Sequence, residues 1–585
     1  MAQDASHTAT SHQGVTQLAT SRPRVLGWLR SAAILDGDWG TSVAYVMGIG
    51  FALAGYSSFW HLSVMMGLTA LVAINYVTIC RLYPHGGGVY SSVYHRSQLL
   101  AVVGALLLGA DYVVTMALSI LDACHYLGFH YPVVWAIFII LSIGLINWFG
   151  PRHSGALALI ISAFTLLTML IIVLASAPTA VTSATIAPPE GGVFHNWGIF
   201  VGFILSLSGI EAISNMTGLM KDPARDSRKA ILSVLTKVVA LNIFLGLAML
   251  AIQGFKPGNY LEDMLRFLGE HYVGHWFGWI VALSLGFLLI SAGNTALNDL
   301  ISIQFLMAVD KELPSPLRRL NRYGVPILPL IVTTAAPIIV LLFVNDVETL
   351  AHLYAIGLVG AMVINLSSTA TDKSVYLRSV PKMFMLISAS VLILIEISIA
   401  LQKTEAAVFA SVILVVGLVA RGVAKRAVRM QPAVVEVVPA AAPVRKRRRT
   451  KMPATKYLVA VKGASEKLLR FAAEEARARN GFLFILRVKE IAVGALPAML
   501  EMPTNGQEQR IEEICMEAGI DFQSVQIPSY DVGYTIAEQA ATFGVERVIV
   551  GAQHRSRLEY ALKGSVVRSL STLLPEEVQL VIFGG

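Results

Sequence analysis

Long apolar stretches separated by short polar ones dominate the first 421 residues of this 585-residue chain. Runs long enough to cross a bilayer as helices, about 17–25 residues each, fall near 31–55, 60–80, 98–123, 131–149, 154–176, 195–219, 230–253, 275–306, 326–344, 350–370, 383–401 and 405–421. The pattern predicts a polytopic α-helical membrane protein with about twelve spans. After residue 421 it changes. Residues 422–455 mix basic residues with an Ala/Pro/Val stretch and read as a linker, with the run Arg445-Lys-Arg-Arg-Arg449 suited to lipid headgroups. Residues 456–585 alternate strand-like and amphipathic helical segments. Strands are predicted at Lys456–Val461, Phe482–Val488, Asp521–Ile527, Arg547–Gly551 and Val578–Phe583, giving a small doubly wound, Rossmann-like α/β domain. The chain thus divides into a tail (1–30), a membrane domain (31–421), a linker (422–455) and a C-terminal domain (456–585).

Composition agrees. Charged residues are 14% of the chain and hydrophobic ones 55%, against about 25% charged in ordinary soluble proteins. A soluble enzyme, a coiled-coil rod and a disordered scaffold are excluded, and no enzymatic activity is expected. The net charge of +8 is read as loop charge rather than as nucleic-acid affinity, because it alternates from loop to loop. Arg22, Arg24 and Arg30 precede the first span; Arg81 and Arg96, Arg152, then Lys221, Arg225, Arg228 and Lys229 follow the second, fourth and sixth. Lys311, Arg318, Arg319 and Arg322, then Lys373, Arg378 and Lys382, then Arg421, Lys425 and Arg426 follow the eighth, tenth and twelfth. The opposite loops carry no Lys or Arg except Lys256, Arg266 and Lys403. The positive-inside rule then puts both termini in the cytoplasm, with the chain in the cytoplasmic membrane. The first 25 residues contain no apolar core of a cleavable signal. Cys80, Cys124 and Cys515 are too scattered for a disulfide framework or a zinc site.

Two spans are interrupted by polar and Gly residues, the first at Asp36-Gly-Asp38-Trp-Gly-Thr-Ser-Val-Ala-Tyr45 and the sixth at Ser206-Leu-Ser208-Gly-Ile-Glu211-Ala-Ile-Ser-Asn215. They lie five helices apart, at matching places in two five-helix halves. Paired breaks of this kind point to an inverted-repeat transporter whose unwound segments bind substrate near mid-membrane; the alternative is that Gly and Ser simply permit close helix packing. Carboxylates inside spans are costly to insert, roughly 2.5–3.5 kcal/mol each at mid-helix, so they mark function. Here they are Asp38, Asp111, Asp122, Glu211, Asp299 and Glu396. Asp111, Thr115, Ser119 and Asp122 share one face of the third span, with Tyr112 beside it. No Lys or Arg is expected deep enough to neutralise these acids. Oxygen ligands without a protein cation suit a hard cation. A hydrogen-bonded seam between helices is the other reading, and the favoured one for Asp122, Asp299 and Glu396 taken singly.

The stretch Gly37-Asp-Trp-Gly-Thr-Ser-Val-Ala-Tyr45 resembles the first-helix signature of the Kup/HAK/KT potassium-uptake permeases. Tyr83-Pro-His-Gly-Gly-Gly-Val-Tyr90, Asp111-Tyr112 with Thr115 and Ser119, Gly209-Ile-Glu-Ala-Ile-Ser-Asn215, Asp222-Pro-Ala-Arg225 and Leu353-Tyr-Ala-Ile-Gly357 are similar to the KimA-type branch, in order, over residues 31–400 or so. The resemblance implies a LeuT-like 5+5 inverted repeat of the amino acid–polyamine–organocation superfamily, a homodimer, and proton-coupled potassium uptake. It also implies an ion site at Asp38, Tyr45, Asp111, Tyr112, Thr115, Ser119, Ser208, Glu211 and Tyr354. Ser208 stands where the branch often has Thr, and Ala355 follows Tyr354, so a paired-Tyr version of the site is absent. Glu211 is the expected proton-coupling residue, because several acids in one dry pocket do not all stay charged.

The C-terminal domain resembles universal-stress-protein domains, some of which bind ATP through Gly-x₂-Gly-x₉-Gly-Ser/Thr. The matching residues are Gly551, Gly564 and Ser565, but His554 replaces the second glycine and Lys462 stands where ATP-binding members have Asp. The domain is therefore either a regulatory nucleotide site or a dimerisation module, and no obligatory cofactor is expected. The leading expectation for the whole chain is a K+/H+ symporter. The alternatives are an amino acid or polyamine permease, and a membrane sensor whose transporter body only gates the C-terminal domain. Against an amino acid, Asp38 would repel a substrate carboxylate.

Overall fold

The computed structural model describes residues 11–12, 15–17, 26–84, 86–150, 155–254, 262–430, 455–461, 465–491, 507–529, 531–552 and 564–584. Arg22, Arg24, His85, Arg152, Lys256, the Arg445–Arg449 run, Lys462 and His554 lie outside the described residues.

Two short strands, β1 (Ser11–His12) and β2 (Val15–Gln17), precede the membrane helices. Those helices are α1 (Trp28–Trp39), α2 (Ser42–Ala54), α3 (Ser58–Leu82), α4 (Gly88–Tyr94), α5 (Gln98–Tyr126), α6 (Pro132–Trp148), α7 (Gly155–Ser183), α8 (Val193–Gly202), α9 (Ala212–Met216), α10 (Pro223–Leu250), α11 (Met264–Tyr272), α12 (His275–Val309), α13 (Ile327–Phe343), α14 (Val347–Thr371), α15 (Ser379–Gln402) and α16 (Thr404–Met430). Among the described residues, eight helical stretches qualify as spans by length and composition, or nine if the bent pair Val193–Gly202 and Ile204–Leu219 is one span. The expected twelve is not reached by that criterion for two reasons. The first stretch, Trp28–Leu82, runs 55 residues and holds two of the predicted spans, while α6 and α13 are apolar but shorter. The last helix runs past the predicted end at 421 to Met430.

Both predicted interruptions are real. Between α1 and α2 the helix breaks at Gly40–Thr41, where the Thr41 hydroxyl donates to the Asp38 carbonyl at 2.5 Å and the Ser42 hydroxyl to that of Trp39 at 2.8 Å. Such side chains satisfy carbonyls that a continuous helix would have bonded. The sixth segment bends by 45° between its two parts, passing through a 3₁₀ turn at Ile204–Leu207 and an extended Ser208 (φ −52°, ψ 133°) before α9. The outer ends of the two interrupted segments are tied by a backbone bridge between Leu26 and Met220. One apolar core runs through the whole helical body, with α5 at its centre; along α5 every residue from Leu107 to Cys124 is buried.

The C-terminal domain comprises β3 (Lys456–Val461), α17 (Glu466–Ala478), β4 (Phe482–Glu490), α18 (Gln507–Ala518), β5 (Phe522–Ser529), α19 (Val532–Phe543), β6 (Arg547–Gly551), α20 (Val566–Leu573) and β7 (Gln579–Phe583). The strands pair in the order β1-β2-β5-β4-β3-β6-β7, all parallel except β1 on β2. Tyr457, Val459 and Val461 face a core shared with α17 and α18, while Leu458 faces one shared with α19 and α20. This alternation puts helices on both sheet faces, as in a doubly wound fold. The sequence pattern gave no sign of β1 and β2, which extend the sheet beyond β5.

Candidate functional site

The two breaks lie against each other. Gly209, at φ +87°, sits so close to the first break that a Cβ there would lie 2.5 Å from the Trp39 nitrogen and 2.8 Å from the Asp38 carbonyl carbon. Only glycine fits this position, on both backbone angle and space. The Trp39 indole then donates to the Ser206 carbonyl at 3.2 Å. A second close approach fixes α14 against α5, where a Cβ on Gly357 would lie 2.7 Å from the Leu107 carbonyl oxygen and 2.8 Å from the Asp111 nitrogen.

These contacts gather the nine predicted residues from five segments into the buried interior. Asp38 and Tyr45 come from α1 and α2; Asp111, Tyr112, Thr115 and Ser119 from α5; Ser208 and Glu211 from the sixth segment; and Tyr354 from α14. None is more than 4% exposed. Ser208 is the hub of the hydroxyl wall: it accepts a hydrogen bond from Tyr45 at 3.4 Å and one from Tyr354. Thr115 donates to the Asp111 carbonyl at 2.9 Å and to its carboxylate at 3.3 Å. Asp38, Asp111 and Glu211 are near enough to act on one another electrostatically. Asp111 Oδ2 and Glu211 Oε2 have no hydrogen-bond partner, and no described Lys, Arg or His pairs with any of the three acids. Among the described residues no His, Cys, Asp or Glu set converges as a metal-ligand cluster; the three acids come from α1, from α5 and from the turn before α9.

The remaining acids behave differently. Asp299 accepts from the Asn215 amide at 3.1 Å, and the same amide donates to the Tyr112 hydroxyl at 2.6 Å. Asp299 therefore borders the site through a hydrogen-bonded seam. Asp122 shares the α5 face, but its charge neighbours are Glu262 and Asp263, and both of its oxygens are unpartnered. Glu396 packs against Gly360, also with one unpartnered oxygen.

The expectation that no basic side chain lies deep in a span fails at Lys237, although the acid it pairs with, Asp36, is not among the six named above. Lys237 of α10 reaches both Asp36 oxygens at 2.7 and 2.6 Å, and Ser162 of α7 donates to the same carboxylate at 2.5 Å. The signal was present in the sequence, because a lone Lys within the predicted 230–253 span requires a buried partner. In the C-terminal domain, Gly551 ends β6 beside β3, at the point where strand order reverses. Gly564 has φ +69°, and the Ser565 hydroxyl caps α20 by accepting from the Arg568 nitrogen at 3.2 Å. All three cysteines are buried and free; burial pushes the Cys515 thiol up to about 12.

A family described as amino acid permease has a sequence model that matches residues 26–418, and the universal stress protein family's matches residues 454–581. An uncharacterized transporter of Legionella pneumophila is 26% identical over 311 residues, which is 48% of this chain; the match spans 64% of that protein's length. A universal stress protein, solved by crystallography in complex with cAMP, is similar at 16% identity over 22% of this chain and 96% of its own, with a TM-score of 0.19. The permease match takes in both breaks and every acid discussed above, and it covers well over half of the sequence. This chain belongs to the amino acid permease family and carries a C-terminal α/β domain like those of universal stress proteins.

Proposed function

We propose that the chain is a secondary transporter that imports potassium together with protons, with Asp38, Tyr45, Asp111, Tyr112, Thr115, Ser119, Ser208, Glu211 and Tyr354 forming the ion path. The observation that carries this reading is a set of three buried carboxylates, Asp38 and Glu211 at the two breaks and Asp111 on the α5 face, with no described Lys, Arg or His paired to them. Such a set holds more negative charge than a dry interior sustains alone, so something outside the chain must offset it. A hard, partly dehydrated cation suits carboxylate, hydroxyl and freed carbonyl oxygens. A proton is the other available compensator, and Glu211, at the second break with one unpartnered oxygen, is the residue that exchanges it. The likeness to potassium-uptake permeases in the two break motifs supports the same assignment. An amino acid or polyamine substrate is the second reading, favoured by the description of the matched family. A polyamine suits the acids; an amino acid's carboxylate does not.

Rubidium uptake into proteoliposomes tests this. An imposed inward proton gradient should drive uptake by the wild type but not by Glu211→Gln. Unchanged wild-type flux on acidifying the outside rejects proton coupling. Uptake of a labelled polyamine or amino acid with no rubidium uptake rejects the potassium assignment.

The C-terminal domain contributes none of the proposed ion-path residues, and we assign it a regulatory role and the pairing of two chains in a homodimer. It does touch the helical body: a Cβ on Gly324, in the turn between α12 and α13, would lie 2.3 Å from the Glu490 carbonyl oxygen at the end of β4. Truncation before Lys451 should keep cation selectivity and change the rate or its response to nucleotide. Equilibrium binding of ATP, AMP and cyclic di-AMP to the full chain tests the ligand, with loss in Gly551→Val or Ser565→Ala expected if Gly551, Gly564 and Ser565 hold it.

A further inference from the structure

Arg81 lies in the last turn of α3, and Arg225, Arg228 and Lys229 lie in the first two turns of α10. All four are exposed. Together they line a groove of about 660 Å³ between the two helices. None is ion-paired among the described residues. The one carboxylate in the groove, Asp222, is already engaged in capping α10, where it accepts from the Arg225 nitrogen at 3.1 Å. Lys229 lies over the Trp28 ring, 5.7 Å from its centroid, and makes no ion pair among the described residues.

This clustering is unfavourable for the isolated protein. Three cations lie in the first two turns of α10, where the peptide dipoles favour anions, beside only the capping Asp222 and the buried Asp226, and Arg225 and Lys229 repel each other at i, i+4. The groove is also two-sided in character. Val77 and Leu232 line its other part, and Leu232 is 39% exposed, next to the outward-facing apolar surface that includes Ile74 of α3. A ligand that fills it therefore carries an anion at one end and hydrocarbon at the other.

We infer that the groove between the end of α3 and the start of α10 binds an anionic glycerophospholipid, with the headgroup phosphate among Arg81, Arg225, Arg228 and Lys229 and the first acyl methylenes against Val77 and Leu232. Basic pockets between membrane helices recognise anionic headgroups in this way. The site is separate from the ion path, and the inference needs only the membrane placement, not the identity of the substrate. Its location gives it leverage, because α10 directly follows the interrupted sixth segment. A lipid bridging α3 and α10 would fix the end of that segment.

Native mass spectrometry of the full chain in neutral detergent, titrated with phosphatidylglycerol or with phosphatidylcholine of the same acyl chains, tests the inference. The wild type should retain phosphatidylglycerol in preference. At about five-fold per charge, Arg81→Gln, Arg225→Gln and Arg228→Gln together should weaken retention by on the order of a hundred-fold. The triple Lys373→Gln, Arg378→Gln, Lys382→Gln removes equal charge from another basic segment and should retain lipid as the wild type does. Leu232→Asp keeps all four cations and should also lose lipid, which covers the case in which the first triple is not monodisperse by size exclusion. Equal loss in both triples, or no preference for phosphatidylglycerol, would overturn the inference. Displacement of bound lipid by inorganic phosphate would overturn it too, assigning the cations to a soluble anion instead.

Discussion

Asp36 and Asp38 lie two residues apart on one helix and are each 2% exposed, yet their surroundings are opposite. Asp36 is held by Lys237 on both oxygens and by Ser162. Asp38 has no ion-pair partner among the described residues and instead faces Asp111, Glu211 and Asp299. Two residues turn a helix by about 200°, enough to direct one carboxylate toward α7 and α10 and the other toward the sixth segment. Burial is therefore common to structural and candidate ligand acids alike. What separates them is whether the chain itself supplies the opposite charge.

The largest expected effect comes from removing charge on the uncompensated side. Asp38→Asn and Asp111→Asn should abolish rubidium uptake while leaving the protein folded and monodisperse, since each changes a buried acid that no described basic side chain pairs with. Wild-type flux in both would sink the assignment. On the compensated side the order reverses. Asp36→Asn strands Lys237 in the interior and should cost about 3–5 kcal/mol of stability, read as a lower unfolding temperature. Adding Lys237→Met should recover most of that loss. If the single variant is as stable as wild type, the ion pair is not a structural element and the comparison fails.

Glu312 supplies a milder version of the same test. Its fully buried carboxylate at the end of α12 meets Arg421 at 2.6 Å and Lys425 at 2.5 Å, both on α16. Those partners are 21% and 35% exposed, so water takes up part of their charge. Glu312→Gln should cost only about 1–2 kcal/mol, measured by the same thermal unfolding. The smallest change concerns the neutral wall of the site. Ser208→Ala leaves the Tyr45 and Tyr354 hydroxyls without their shared acceptor, a loss of about 1 kcal/mol per hydrogen bond. The rubidium concentration for half-maximal uptake should rise by up to about thirty-fold, as about 2 kcal/mol for the two bonds implies, and Ser208→Thr should restore it. A Thr variant no better than Ala would mean that the hydroxyl has no part in ion binding.

Much of the architecture was legible without coordinates. Membrane segments announce themselves through length and transfer cost, and the two breaks through Gly and polar residues where a helix should be uniformly apolar. The strand pattern from Lys456 onward was equally plain, because side-chain alternation is a local property. The acids of the proposed ion path stood out for a related reason, since each is conspicuous in its own span. The 55 residues from Trp28 to Leu82 form one helical stretch, yet the predicted spans 31–55 and 60–80 part where the chain passes through the 3₁₀ turn Gly55–Ser57; the total of twelve is not reached by length and composition alone.

Pairing was decided only in three dimensions. Lys237 and Asp36 are 201 residues apart, and nothing along the chain selects one acid of the Asp36–Asp38 pair over the other for that cation. The same holds for Asn215, which joins Tyr112 to Asp299, for Gly209 pressed against Asp38, and for β2 laid along β5. Hydropathy and period are written residue by residue, so the sequence alone determined which segments are buried and which carry charge. Which buried charge meets which partner depends on the rotation and approach of whole helices, and those are fixed by packing across the fold.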